Sequence, residues 1–334
     1  MNPVHTWMNG RITPWAESLL HAGSDAVLRG ASVFEGIRAY RSSDGADLLL
    51  FRLEDHFDRL YGGSMRVMQM RIAYSPAELA QGIIDLLQAN QVRDDAHIRV
   101  VAYFDVLADL VAGGSAGAAE DDPTGVYMLA FPKAPNPRLQ TGVRCNVSAW
   151  RRPTDNSISP RVKASANYLN SRLASVDAKS KGFDIPVLLN QRGRVSEGPG
   201  QNIFLVRKGV LVTPRTTDNI LEGITRETVI GIGHELGLPV EEREVDFTEL
   251  YVADEIFFAG TNMEVMPIAE IDAYRVGEGR IGPLTERIQR RYFELVRGAA
   301  PAAWLTSVHG PRVTPRLSGS QDLEPVTGVV EGER

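Results

Sequence analysis

The chain has 334 residues, 43% of them hydrophobic and 23% charged, proportions of a water-soluble globular protein long enough for two domains or one large one. Its formal charge of −6 leaves no basic footprint for nucleic acid, and its longest apolar runs, such as Leu48–Phe51, are strand-length and too short to cross a membrane. A single cysteine, Cys145, excludes an internal disulfide and a thiolate metal centre, and the six histidines are scattered with no His-x-x-x-His pair, so no metal site is expected.

The first residues lack the charged and apolar regions of a signal peptide, so a cytoplasmic location is the expectation. Residues 5–40 alternate short apolar runs with turn residues and end in the strand-like Ser32-Val33-Phe34-Glu35-Gly36-Ile37-Arg38-Ala39-Tyr40. A turn at 42–45 and a strand at 47–51 complete a predicted hairpin. Residues 55–68 carry Phe57, Leu60, Met65 and Met68 at helical spacing, with Arg59 on the flank. Ser75-Pro76-Ala77-Glu78 opens a second helix with the cap, proline and glutamate of a capping box, and its stripe is Leu79, Ile83, Leu86 and Leu87. Residues 96–104 form a β-branched and aromatic strand carrying His97 and Arg99. The aperiodic, glycine- and alanine-rich stretch 111–123 reads as a flexible loop of the kind that borders binding sites.

A strand at 126–131 leads to three prolines within 132–137, read as an interdomain linker. The expected division is a small N-terminal domain over 1–132, a linker over 133–140, a large C-terminal domain over 141–308, and a disordered polar tail over 309–334. In the second domain a strand at 143–149 and a polar loop precede a helix at 167–181 whose Leu169, Leu173 and Val176 have the spacing of a buried stripe. Two hairpins follow, 185–189 with 194–196 and 202–206 with 210–213. Leu221-Glu222-Gly223-Ile224-Thr225-Arg226-Glu227 opens a helix with Thr225 as the expected N-cap and Val229, Ile232 and Leu236 inward. A buried strand at 255–259 stops at Gly260-Thr261-Asn262, and a last helix covers 283–297.

Chemistry concentrates around Lys163. Small and polar neighbours, Ala164-Ser165-Ala166-Asn167, leave space beside its ammonium group. Taken alone it reads as a solvated loop lysine. Downstream, however, Glu197 sits where a strand breaks into the glycine-rich Gly198-Pro199-Gly200-Gln201-Asn202, open to close approach by a flat ring. Gly223-Ile224-Thr225 offers helix N-terminal amides to an anion, Gly260-Thr261-Asn262 offers a second amide-rich turn, and Arg59 adds a cation. A lysine for an imine, an acid for a pyridinium nitrogen and a phosphate cradle are the needs of pyridoxal 5'-phosphate. Singly, each piece has a dull alternative: a solvated turn glutamate, a capped helix, a turn hydroxyl.

With those motifs in view, the sequence resembles a branched-chain aminotransferase of the fold-type IV group of pyridoxal-phosphate enzymes, from about residue 8 to residue 296. The resemblance rests on Val33-Phe34-Glu35-Gly36-Ile37-Arg38, Lys163-Ala-Ser-Ala-Asn-Tyr168-Leu169, Ser196-Glu197-Gly198-Pro-Gly200-Gln-Asn202, Leu221-Glu-Gly223-Ile224-Thr225-Arg226 and Asp254–Thr261. It implies two α/β domains (α+β type) with the site between them, and at least a homodimer. It implies that Lys163 forms the covalent imine, that Glu197 faces the pyridinium nitrogen and that Tyr168 bonds the phenolic oxygen. Arg59, Ile224, Thr225, Thr261 and Asn262 would hold the phosphate, with Leu221 against the ring and Gly200, Asn202 and Gly223 beside them. The implied reaction moves an amino group from an amino acid, branched-chain or aliphatic and L-configured, to a 2-oxo acid such as 2-oxoglutarate. The same scaffold also carries D-amino-acid and (R)-amine transamination and aminodeoxychorismate lysis.

The substrate side departs from the family pattern. Arg29 and His97 stand where tyrosines are common, and Lys133 where bulky aromatics are, while Phe34 and Arg99 are retained. Arg29, His97 and Arg99 are therefore expected to accept a substrate carboxylate, or else to turn their polar ends outward and only shape the wall.

Overall fold

The computed structural model describes residues 3–105 and 123–310. The expected flexible loop at 111–123 lies outside these residues except for Pro123, as does the expected tail beyond residue 310. No helix among the described residues is long and apolar enough to cross a membrane.

Two sheets organise the chain, one in each of two mixed α/β domains. The first gathers β1 (His5–Met8), β2 (Arg11–Pro14), β3 (Ser32–Arg41), β4 (Leu48–Phe51), β5 (Ala96–Phe104) and β6 (Thr124–Pro132), with α1 (Asp25–Leu28), α2 (Leu53–Asp58) and α3 (Pro76–Ala89) around them. α2 runs on into a wider π-helical turn over Arg59–Met65, so the single helix expected at 55–68 changes pitch at Arg59. In α3 both halves of the capping box form, and Leu79, Ile83, Leu86 and Leu87 are fully buried, as their spacing predicts.

The second sheet follows α4 (Arg138–Thr141): β7 (Val143–Arg151), α5 (Asn167–Ser180), β8 (Ile185–Leu189), β9 (Asn202–Arg207), β10 (Val210–Thr213), α6 (Ile224–Glu235), β11 (Val240–Glu242), β12 (Glu255–Gly260), β13 (Glu264–Ile271) and β14 (Tyr274–Arg275). Its order is β11-β10-β9-β12-β13-β7-β8, with β14 on the edge of β13. α7 (Pro283–Glu294) follows, and β15 (Leu305–Ser307) returns to pair with β4 in the first sheet. Residues of β9 and β12 alternate between two cores: Ile203, Leu205, Ile256 and Phe258 to one face, Phe204, Val206, Phe257 and Ala259 to the other, where α6 and α7 pack. This period of two is what a sheet buried on both sides requires. The predicted pair of 185–189 with 194–196 forms as a short Leu189–Val195 bridge rather than a full strand pair, with Asn190 N donating to Arg194 O at 2.8 Å and Ser196 N to Leu188 O at 3.0 Å, while Arg194 also bridges Asp246.

Two expectations fail. In α5 the leucine stripe faces outward, with Leu169 63%, Leu173 40% and Val176 54% exposed. The buried face is Asn167, Ser171, Ala174 and Ala178, small side chains that let the helix lie close against β7 and β8. Thr225 is not the N-cap of α6 either. Gly223 holds that position without a side-chain cap, and Thr225 lies buried in the first turn.

Candidate active site

The segment bearing Lys163 is pinned beside β3 like a short extra strand. Phe34 N donates to Lys163 O at 3.0 Å, Ser165 N to Ser32 O at 2.9 Å, and Lys163 N to the buried Ser64 hydroxyl at 3.0 Å. The lysine backbone is thus fixed by one domain while α5, one turn later, packs on the other. Its Nζ lies 2.9 Å from Tyr168 Oη and 5.0 Å from the centre of the Phe34 ring, which meets Tyr168 edge-on.

Lys163 lines a cleft that is partly open to solvent. The sequence-predicted Arg59, Lys163, Tyr168, Glu197, Gly200, Asn202, Leu221, Gly223, Ile224, Thr225 and Thr261 all line it. Asn262, exposed, is not among the lining residues. Arg152, Asn167 and Gln201 are lining residues that sequence reasoning missed.

Glu197 is almost fully buried and accepts from three donors, which leaves Oε1 room for one more. Arg152 Nη2 lies 2.8 Å from its Oε1, while Oε2 accepts from Asn202 Nδ2 at 2.9 Å and from Leu221 N at 3.2 Å. Burial pushes its carboxyl up, and Arg152 and the Leu221 amide oppose that push. Arg152 escaped notice because Arg151-Arg152 at the end of a strand reads as two solvated charges; only the turn of β7 sends Arg152 inward, 5% exposed.

The first turn of α6 closes one end of the cleft. Gly223 is demanded there by space, since an added Cβ would overlap the side-chain oxygen of Asn202. With no side chain capping it, this helix end keeps amide donors and a positive dipole end for an anion. Gly260 has the same cause: its Cβ would stand 2.9 Å from Gln201 Cβ. Arg59 reaches the cleft from the first domain and donates to Glu222 O at 2.9 Å.

Of the residues expected to receive a substrate carboxylate, His97 and Arg99 lie together and Arg29 stands apart. Arg29 is half-exposed, ion-paired with Asp25 four residues back, and does not line the cleft. Phe34, Gly36 and Arg38 share a sheet face with His97 and Arg99. Arg99 stacks over Phe34 at 4.3 Å. Burial, reinforced by Arg38, Arg99, Lys133 and Lys163, lowers His97 to about 3, so its imidazole is neutral at pH 7. Arg38, which sequence reasoning passed over, is 2% exposed and pairs with Glu264 at 3.2 Å. Its Nε and Nη1 have no hydrogen-bond partner among the described residues. Such donors are costly to leave unmet.

Comparison with known proteins agrees with this geometry. The family model described as amino-transferase class IV matches residues 32–271. A probable branched-chain-amino-acid aminotransferase of Aquifex aeolicus is 38% identical over 307 residues, covering 91% of this chain and 96% of its own. The branched-chain aminotransferase of Thermoproteus uzoniensis, solved with norvaline, superimposes with a TM-score of 0.84 at 38% identity, covering 92% of this chain and all of that one. The branched-chain amino acid aminotransferase of Thermobaculum terrenum, solved in its PLP-form, gives 0.83 at 40% identity, covering 92% and 99%. On sequence and on fold, the chain belongs to the class IV aminotransferases, with the fold-type IV architecture.

Proposed function

We propose that the chain uses pyridoxal 5'-phosphate to transfer the amino group of a branched-chain or aliphatic L-amino acid to a 2-oxo acid such as 2-oxoglutarate. The carrying observation is the convergence of Lys163, Tyr168, Glu197 and the open N-terminus of α6 on one cleft. The donor set suits the cofactor: a primary amine, a phenol beside it, a buried carboxylate, and amides with a guanidinium at the far end. When bound, this cofactor supplies an aldehyde that condenses with amines and a ring that draws electrons from the substrate α-carbon.

In this reading Lys163 would hold the cofactor as an imine, and its Nζ, once displaced by the substrate amine, would take the proton from the substrate α-carbon. Tyr168 Oη would hold that amine in line, and Glu197, paired with Arg152, would face the ring nitrogen and favour a proton on it. Arg59, Ile224, Thr225 and Thr261 would receive the phosphate, and Leu221 would back the ring. Return of the amino group to a second 2-oxo acid makes the kinetics ping-pong. Phe34, His97 and Arg99 form the substrate wall, with Arg38 behind them, and Arg99 receives the side-chain carboxylate of a dicarboxylic partner. We further propose a homo-oligomer, and a domain boundary at 133–140 with the strand β15 returning across it.

A panel of donors with 2-oxoglutarate tests the substrate reading. L-Leucine, L-valine and L-isoleucine are expected to exceed D-alanine and a simple (R)-amine in kcat/KM. A preference for the D-amino acid or the amine, or lysis of aminodeoxychorismate, would replace it with another activity of the same fold. Arg99→Ala is expected to cost roughly 10- to 150-fold with 2-oxoglutarate relative to a branched 2-oxo acid, the loss of one charged hydrogen-bonded contact. Arg29→Ala, already spoken for by Asp25, is expected to cost less.

A further inference from the structure

Glu35 is the one acidic residue of β3, and it is completely buried. It points away from Phe34 and Gly36, toward α2, and does not itself line the cleft. Arg59 meets it along one edge: Nε donates to Oε1 at 2.8 Å and Nη2 to Oε2 at 2.7 Å. On the other side, Nδ1 of His56, a residue only 2% exposed, lies 2.7 Å from Oε2. Burial would raise the Glu35 carboxyl, but Arg59 and His56 outweigh it and hold it at about 2. Burial lowers His56, so a neutral ring serves as hydrogen-bond donor to a carboxylate that stays charged.

A guanidinium has five N–H donors in a rigid fork. Among the described residues the protein engages three of them on Arg59, two on Glu35 and one on Glu222 O. What remains is one N–H on each terminal nitrogen, on a side chain that lines the cleft. A buried ion pair is poor evidence of a stabilising device, because an apolar pair of the same volume is often as stable. Its distinctive effect is to fix the plane and rotation of the guanidinium.

We propose that Glu35 and His56 are positioning residues for phosphate recognition, Glu35 occupying one edge of Arg59 so that the remaining N–H groups are presented to the phosphate, and His56 locking the carboxylate. The proposal rests on the pyridoxal-phosphate reading, and it makes Glu35 matter for the phosphate while leaving the rest of the cofactor untouched.

The test titrates the cofactor-free protein with pyridoxal 5'-phosphate and, separately, with pyridoxal, which lacks the phosphate, following visible absorbance and tryptophan fluorescence. For Glu35→Gln the Kd for pyridoxal phosphate is expected to rise about 10- to 100-fold while that for pyridoxal stays within about twofold. His56→Leu should shift the same ratio in the same direction, and His56→Asn, whose amide nitrogen can donate from the position of Nδ1, should restore it. If Glu35→Gln does not fold, the His56 pair decides alone. Unchanged phosphate discrimination in these variants, or equal weakening of both ligands, would overturn the proposal. Failure of the wild-type protein to take up pyridoxal phosphate would be a different result and would count against the cofactor reading itself.

Discussion

Single residues in the cleft differ in what their loss should do. Glu197→Gln keeps the shape and the bond from Asn202 but removes the charge that Arg152 faces at 2.8 Å. The cofactor should remain bound while kcat falls about 10²- to 10³-fold, the scale of other preorganised electrostatic contacts. A near-wild-type kcat would take Glu197 out of this role. His97 offers a pH test. Its folded pKa is depressed from an ordinary 6.5 to about 3, so on acidification the unfolded chain binds a proton that the folded chain refuses. Stability is therefore present above about pH 6.5 and drains away as pH falls toward 3. Glu35, depressed to about 2 from 4.5, adds a second loss below pH 4.5. In urea melts of the cofactor-free protein, His97→Gln should flatten the slope from pH 6.5 down to about 3 and leave only the loss from Glu35 and the other acids below pH 4.5; an unaltered slope would contradict the buried neutral imidazole. At this scale the cofactor side was legible because each motif residue carries its own chemistry. Arg152, Arg38 and His56 were not, since an isolated arginine or histidine gives no sign of which way its strand or helix will turn it.

Elements were legible where the buried side chains are large. The α3 stripe of Leu79, Ile83, Leu86 and Leu87 and the strands β3, β5 and β12 lie where periodicity predicts. α5 shows how the same logic inverts. Its largest apolar residues point outward, and Ser171, Ala174 and Ala178 face the sheet because close approach of backbone to backbone needs small groups. Hydrophobic spacing identifies a face; whether that face is inward depends on the room left for it. Two substitutions separate the faces. Ala174→Leu forces an isobutyl side chain into a fully buried position that holds a methyl and should cost about 1–3 kcal/mol. Leu173→Ser, on the exposed face, should cost within about 0.5 kcal/mol in urea denaturation of the dilute protein. The reverse order would mean that α5 is rotated. A cost for Leu173→Ser that grows with protein concentration would mark this face as a contact between copies. Misreading Thr225 as the N-cap has a similar cause: threonine is a common cap, but at this helix the space beside Asn202 admits only glycine, and the uncapped amides are the feature that serves an anion.

The whole molecule sets two sheets against each other through polar links as well as apolar ones. Tyr40 and Tyr292 hydroxyls meet at 3.1 Å, Arg38 reaches Glu264, and Arg52 bonds Thr228 at 3.2 Å in the helix that ends at the cleft. The order β9-β12-β13-β7-β8 joins strands far apart in the chain, Ile268 beside Val143, with β7 parallel to β13 and β8. No local pattern encodes such pairing, so the sequence showed that two domains exist and which motifs they carry, while the β15 return and the inter-sheet links needed the structure. The central claim, that this junction holds pyridoxal phosphate on Lys163, is tested most directly by one visible absorption spectrum. Purified protein mixed with pyridoxal phosphate should show the band of a protonated imine, bleached by L-leucine and regenerated by 2-oxoglutarate, and the Lys163→Ala variant should lack it. An imine band that survives Lys163→Ala, or a wild-type band that L-leucine leaves untouched, would contradict the account.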